Sequence, residues 1–402
     1  MAFFKRLGAF LSGAGYRQEG YQDGQPRYTS AAAVPVTLDT SLQLSAVWAC
    51  TKLLAECVGS LPVKIYKLNR DGSRTEDKSH PLYKLMNGKP NRWQTRQEYF
   101  ETLVWQLALM GNDYTVIKRN SRNEIVSLIP LMSEQMEVRL LSDGTVSYRY
   151  NEGSNVNVYS SETIWHNKCF GNGIVGLSVL DYARNSLGIA LAAEKTTTKI
   201  YKDGGRPSGV LTMDNLIKPE QRKEIRDNFS NLTESIDQGR LFVLEAGMKF
   251  QQVSLSPEDI ELLSSRRFQI EDIARFFGVP SVLINDTNAA TTWGSGIQQI
   301  VNGFYKLTLR PYLERYEASM KSRLLTPQER LEYDIEFDFN ALLRPDISER
   351  RKTYKEAIMS GQMTPNEARI MEGDKPINGG DRAFLQQQMT PIEMLPIFRS
   401  SQ

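Results

Sequence analysis

The sequence predicts an α+β chain, and three patterns predict it. Several long stretches carry apolar residues at three- and four-residue intervals, the period of a helix packed by one face. Residues 114–159 instead hold short alternating runs separated by turn residues, as antiparallel strands do. Beyond Gly176 the pattern becomes helical and long, with a small mixed segment between two of the helices. At 402 residues the chain exceeds one typical core, so two or three domains are expected.

The elements follow in chain order. Phe3, Phe4, Leu7, Phe10 and Leu11 fall at helical spacing with Lys5 and Arg6 between them, which predicts a short helix docked on the protein's own body. Residues 12–40 have no periodicity and predict an extended or flexible arm. Leu44, Val47, Trp48, Leu54, Val58 and Leu61 predict a helix buried along one stripe, with Cys50 and Cys57 two turns apart as structural thiols. Val63–Tyr66 alternates as a strand and Asp71-Gly72 turns it. Thr95 and Glu98 form a capping box for a helix that Gly111-Asn112 stops. Strands are expected at 114–119, 125–130, 136–141, 145–150 and 156–159, with a hairpin turn at Ser142-Asp143-Gly144. Proline-free residues 178–202 predict one helix of roughly 37 Å. A small module follows, with a strand at 209–213, a helix at 218–232 and a strand at 241–244. Ser256-Pro257 then opens a helix that ends at Gly278. Residues 281–296 show no regular period, and from Gly278 through Tyr305 only Asp286 is charged. A third long helix, 295–325, contains Pro311, which predicts a kink near Leu307. Residues 333–339 alternate apolar and acidic as a strand, 350–360 is helical, and Thr364 with Glu367 caps a last helix before a frayed tail.

Composition excludes several classes. Hydrophobic residues at 40% and charged residues at 24% are ordinary globular values, which excludes a disordered, collagenous or rod-like chain. A net charge of +2 lacks the basic excess of a protein that grips duplex DNA. Three cysteines without Cys-x-x-Cys spacing argue for a reducing compartment, and two histidines, His80 and His166, exclude a multi-histidine metal site. No apolar run approaches the ~18 residues of a membrane span, so a soluble cytosolic chain with no membrane partner is expected.

Chemistry-bearing motifs are few. Gly171-Asn172-Gly173-Ile174-Val175-Gly176 matches the dinucleotide pattern, with Glu194 about twenty residues on. Such a site needs a second parallel strand ending in the acid, whereas Glu194 falls within a predicted helix, so a structural glycine turn is favoured. Asp334, Glu336 and Asp338 share a strand face and suggest either Mg²⁺ or, more simply, a solvated edge. The helix with Lys218, Glu220, Arg222, Lys223 and Arg226 carries interleaved charge, as a solvated face or a protein-docking surface does. No P-loop and no nucleophile elbow is present; the expectation is a non-enzyme with no cofactor, no metal and no catalytic residue.

Several segments resemble the portal proteins of long-tailed double-stranded DNA phages. They are residues 45–50 (Ser-Ala-Val-Trp-Ala-Cys), His80-Pro81-Leu82 with Pro90-Asn91, residues 275–280, residues 309–313, Phe337-Asp338 to Leu343-Arg344 with Asp346, and 361–369. The resemblance implies a portal-type ring subunit: arm 1–40, α+β wing 41–175, stem helices 176–204 and 255–279 flanking a clip 205–254, channel loop 280–295, kinked wing helix and strand 296–344, and helical crown and tail 345–402. It implies a homo-oligomeric ring, usually of twelve subunits, assembled in the host bacterial cytoplasm and residing at one vertex of the virion. The clip would dock the terminase large subunit and then the head-tail connector through Lys218, Glu220, Arg222, Lys223 and Arg226. The loop, with Asn285, Asp286, Thr287, Asn288, Thr291, Thr292 and Trp293, would line the channel for double-stranded DNA without sequence specificity. Major capsid and scaffolding proteins are the remaining implied partners. Two alternatives stand beside this reading: a nucleotide-binding oxidoreductase built on Gly171–Gly176, and a capsid scaffold without a pore.

Overall fold

Thr37 caps a short helix, α1 (Leu38–Leu42): its hydroxyl accepts the Thr40 amide at 3.2 Å and the Thr40 hydroxyl accepts the Thr37 amide at 2.8 Å. This computed structural model describes residues 21–22, 25–26, 29–202, 209–212, 249–252, 268–285, 295–339 and 347–384. The predicted helix at 1–11, the clip helix and its strand at 241–244, residues 286–294 and the tail beyond 384 lie outside them. Residues 29–40 were expected within the arm, yet the Ala31 amide bonds Asn185 Oδ1 at 3.1 Å and Ser30 is buried.

α2 (Ser45–Gly59) buries Val47, Cys50, Leu54 and Val58 and packs against α4 (Arg96–Met110); α3 (Pro81–Asn87) lies between them in sequence. Burial pushes the thiol of Cys50 up to about 12 and that of Cys57 to about 11, so both are inert at neutral pH. Trp48 departs from the expected stripe: it is 56% exposed. One residue along a helix is a rotation of about 100°, and with Val47 at the centre of the buried arc its neighbour stands on the shoulder. The Thr95–Glu98 capping box forms as expected, and Gly111 ends α4 in the left-handed region at φ 70°.

Every strand pair among the described residues is antiparallel. β1 (Val63–Leu68) is the middle of one sheet, flanked by β2 (Arg74–Glu76) and by the distant strand Tyr333–Phe337. β3 (Asn112–Arg119) is the middle of a second, between β4 (Ile125–Leu131) and β8 (Ile164–Lys168). β5 (Met136–Leu140), β6 (Val146–Glu152) and β7 (Asn155–Ser160) form a meander turned by Gly144 and Gly153. Tyr114, Val116, Val138, Tyr148, Ile164 and Val175 pack between the last two sheets. β8 has no counterpart in the predicted strands, because His166 and Asn167 break the apolar alternation and are nonetheless buried.

The helix predicted over 178–202 is two: α5 (Val179–Tyr182) and α6 (Arg184–Lys202), broken at Ala183 with ψ near 1°. The start is tied to the sheet domain by Ser178 Oγ, which donates to Leu109 O at 3.0 Å. α6 then turns to bring Gly188 against Ser30, an approach where a Cβ would stand 2.1 Å from the serine side chain. β9 (Gly209–Thr212) pairs with β10 (Lys249–Gln252), a partner the periodicity did not mark.

Residues 268–277 are helical (α7) and stop at Gly278, φ 65°. The helix containing Pro311 is α8 (Ser295–Phe304), a five-residue π turn (Tyr305–Leu309) and α9 (Arg310–Leu324). The expected disruption near Leu307 therefore takes the form of a widened turn. Proline cannot bond the carbonyl four residues back and its ring collides with that carbonyl; a π turn moves the carbonyl aside. α10 (Glu329–Glu332) leads into β11 (Tyr333–Phe337).

The chain divides into two compact units, Met1–Phe337 and Asp338–Gln402. The second contains α11 (Ile347–Met359) and α12 (Pro365–Glu372), the latter opened by the Thr364–Glu367 capping box. Buried Asn366 holds that unit together by donating to Asp381 Oδ1 at 2.8 Å and accepting the Ile377 amide at 2.8 Å.

Candidate functional site: the two ends of the channel loop

The segment expected to line a channel is held at both ends. Before it, the Val279 amide bonds Ala274 O, Pro280 follows, and Ser281–Ile284 closes one 3₁₀ turn that packs on α2. Asn285 ends that turn in the left-handed region at φ 67°, where asparagine is tolerated better than most residues. After it, α8 runs into the π turn, where Thr308 Oγ1 donates to Gly278 O at 2.6 Å. One hydrogen bond thus joins the backbone before the loop to the helix after it. Of the seven predicted loop residues, Asn285 is placed here; Asp286, Thr287, Asn288, Thr291, Thr292 and Trp293 lie outside the described residues. Lys218, Glu220, Arg222, Lys223 and Arg226 also lie outside them.

The helix after the loop is anchored to β3 and β8 by buried polar groups. Asp113, on β3, accepts from the Tyr316 hydroxyl of α9 at 2.7 Å and from Asn167 Nδ2 of β8 at 2.8 Å. Burial pushes its carboxyl up to about 7 against those two hydrogen bonds. Trp165 Nε1 donates to Ser319 Oγ at 2.9 Å, and Ser319 Oγ in turn donates to Asn167 Oδ1. Neither Thr308 nor this cluster stands out in the sequence: Asp113 follows a helix-stopping Gly-Asn and looks like one more turn residue.

The glycine motif is a structural turn. Asn172 Oδ1 accepts the amides of Ile174 and Val175 at 3.0 and 2.9 Å, and the Gly176 amide donates to Asn112 Oδ1 at 2.7 Å. A pyrophosphate would need those amides free. His166 Nε2 shares Asn112 Oδ1 at 2.9 Å, and burial lowers its basicity well below the usual range, so it stays neutral there. Gly171 and Gly176 face each other as a bridge, and a Cβ on Gly176 would lie 1.9 Å from Gly111 O. Among the described residues no parallel strand follows: β8 and its neighbours are antiparallel, and Glu194 is on α6. The oxidoreductase alternative is therefore corrected: the glycines serve close backbone packing.

Of the three acidic residues expected on one strand face, Asp338 falls just past β11 and the other two are paired with cations. Asp334 Oδ1 accepts Lys321 Nζ at 3.0 Å, and Glu336 pairs with Arg74 across the sheet. Among the described residues no group of three His, Cys, Asp or Glu side chains could hold a metal ion, and no helix is long and apolar enough to cross a membrane.

The family model for phage portal proteins matches residues 45–373. The chain belongs to the phage portal protein family. The portal protein of Enterobacteria phage HK97 is 36% identical over 354 residues, covering 87% of this chain and 83% of that one. The probable portal protein of Streptomyces phage phiC31 is 29% identical, covering 87% and 79%. Among solved structures, a chain of the neck of a native GTA particle, computed with C12 symmetry, aligns with a TM-score of 0.63 and 25% identity over 92% of this portal chain and 99% of that chain. An HK97-family portal protein from Corynebacterium diphtheriae shares the fold at 16% identity, with a TM-score of 0.53 over 77% and 97% of the two chains.

Proposed function

We propose that copies of this chain, twelve on the pattern of the C12 neck, close into a ring at one vertex of the phage head. The ring is the channel through which DNA enters during packaging and leaves on ejection. The observation that carries this reading is the portal family match across residues 45–373, with the likeness to a neck chain beside it. Residues 41–175 and 296–344 form the wing, 176–204 and 255–279 the stem, 205–254 the clip and 345–402 the crown. Asn285, Asp286, Thr287, Asn288, Thr291, Thr292 and Trp293 face the DNA. Their segment offers amides and hydroxyls with a single carboxylate, a surface that touches phosphates without retaining them. The chain does no catalysis; the energy for packaging comes from the terminase large subunit, which docks on the clip helix before the head-tail connector replaces it. Capsid and scaffolding proteins meet the outside of the ring.

Negative-stain microscopy of the purified protein, with mass by light scattering, tests the ring. Particles with an open hole and about twelve times the 45.7 kDa of one chain are expected. Closed assemblies without a hole would favour the pore-less scaffold. The channel loop has its own test. Asn288→Lys, Thr291→Lys and Thr292→Lys, each adding a cation to the nearly chargeless segment, should slow or stall DNA packaging while rings still form. Normal packaging by all three would remove this segment from the channel wall.

A further inference from the structure

α2 and α4 leave an apolar groove between them. Leu42, Trp48, Ala55 and Trp105 line it, Glu56 and Glu101 stand at its rim, and its volume is about 310 Å³. Trp48 is 56% exposed within it. Leaving so large an apolar side chain in water forgoes the burial that the same residue would gain under a partner. From Trp48 to Ala55 the groove follows two helical turns, about 11 Å. The rim is acidic in balance. Lys52 is already matched to Glu56 at 3.6 Å on its own helix. Glu101 is held by the Gln97 side-chain amide at 2.7 Å and has no cationic partner among the described residues.

One segment of the chain has the complementary pattern. Phe3, Phe4, Leu7, Phe10 and Leu11 repeat over two helical turns, and Lys5 and Arg6 flank them. Its route is short, because α1 itself contributes Leu42 to the groove. The intervening residues 12–37 can span up to about 85 Å, several times the ~22 Å length of α2. We propose that residues 1–11 dock in this groove of their own chain as an amphipathic helix, with the phenylalanines over Trp48 and Trp105 and the two cations toward Glu56 and Glu101. The mode is an amphipathic helix laid in a hydrophobic groove, tethered so that docking is intramolecular.

Two measurements on the full-length protein test it. Acrylamide quenching of tryptophan emission should rise about 1.5-fold or more when residues 2–11 are deleted, and the rise should vanish in a background where both Trp48→Phe and Trp105→Phe are present. Equal quenching with and without the segment, or a rise that persists in the double variant, would overturn the proposal. In a variant with Cys50, Cys57 and Cys169 replaced by alanine, Phe10→Cys and Lys52→Cys should form a disulfide within one chain under mild oxidation. A disulfide formed only between chains would assign the groove to a neighbouring copy and overturn the same-chain assignment.

Discussion

Asp113 joins β3, β8 and α9 through one carboxyl whose two oxygens are both accepting hydrogen bonds. Its raised pKa, about 7, has a definite consequence for stability. Between the ordinary carboxyl range and about pH 7, folded Asp113 keeps a proton that the unfolded chain has released. Its contribution therefore falls as pH rises through that window, by up to about 1.4 kcal/mol per pH unit. His166 opposes this below its ordinary pKa, where the unfolded imidazole binds a proton that the buried one refuses. Comparing wild type with Asp113→Asn isolates the carboxyl, since the amide keeps the shape and can still bond Tyr316 and Asn167. Urea midpoints at pH 5 and pH 8 should show the variant gaining on wild type at the higher pH; parallel midpoints would refute the assignment. This cluster was not legible in the sequence. Residues 113, 167 and 316 are polar side chains in segments far apart, and only the sheet register and the α9 crossing bring them together. His80 and His166 were readable only as too few for a metal site; one caps α3 through Nδ1 and the other sits in the buried network.

Elements defined by local chemistry agree with their sequence signals. The Thr95–Glu98 and Thr364–Glu367 boxes and the turns at Gly72 and Gly144 depend on residues a few positions apart, so the signal and the structure share one scale. Trp48, the break at Ala183 and the β9–β10 pairing depend on what a distant segment does, and periodicity carries no record of that. The glycine turn is an intermediate case: its pattern was visible but its purpose was set by Gly111 and Asn112, some sixty residues earlier. Two of its glycines should behave differently. Gly176→Ala drives a Cβ into a backbone carbonyl and should cost at least about 3 kcal/mol. Gly173→Ala, with φ 89° and open space around it, should cost about 1–2 kcal/mol. Thermal unfolding of the two variants measures the contrast; similar losses would return the motif to a role beyond packing.

For the whole molecule, the α+β class and the family were legible from the order of weak motifs along residues 40–380, since no single one of them is specific. The channel and clip roles came with that resemblance and rest on function tests. Reversing charge at the clip with Lys218→Glu and Arg222→Glu should weaken terminase pull-down at least tenfold while the ring mass is unchanged. Unchanged capture would place the motor's contact elsewhere. The central strand β1 has β2 on one side and β11 on the other, and Val63 pairs with Phe337 about 270 residues later. During translation at ~5–20 residues per second, that edge of β1 waits roughly 15–55 s for its partner to leave the ribosome. A nascent chain therefore carries an unfinished sheet until residues 69–332 have all been made. Premature termination anywhere between leaves the gap open, so the last-made strand of the first unit closes that sheet only in chains translated past residue 337.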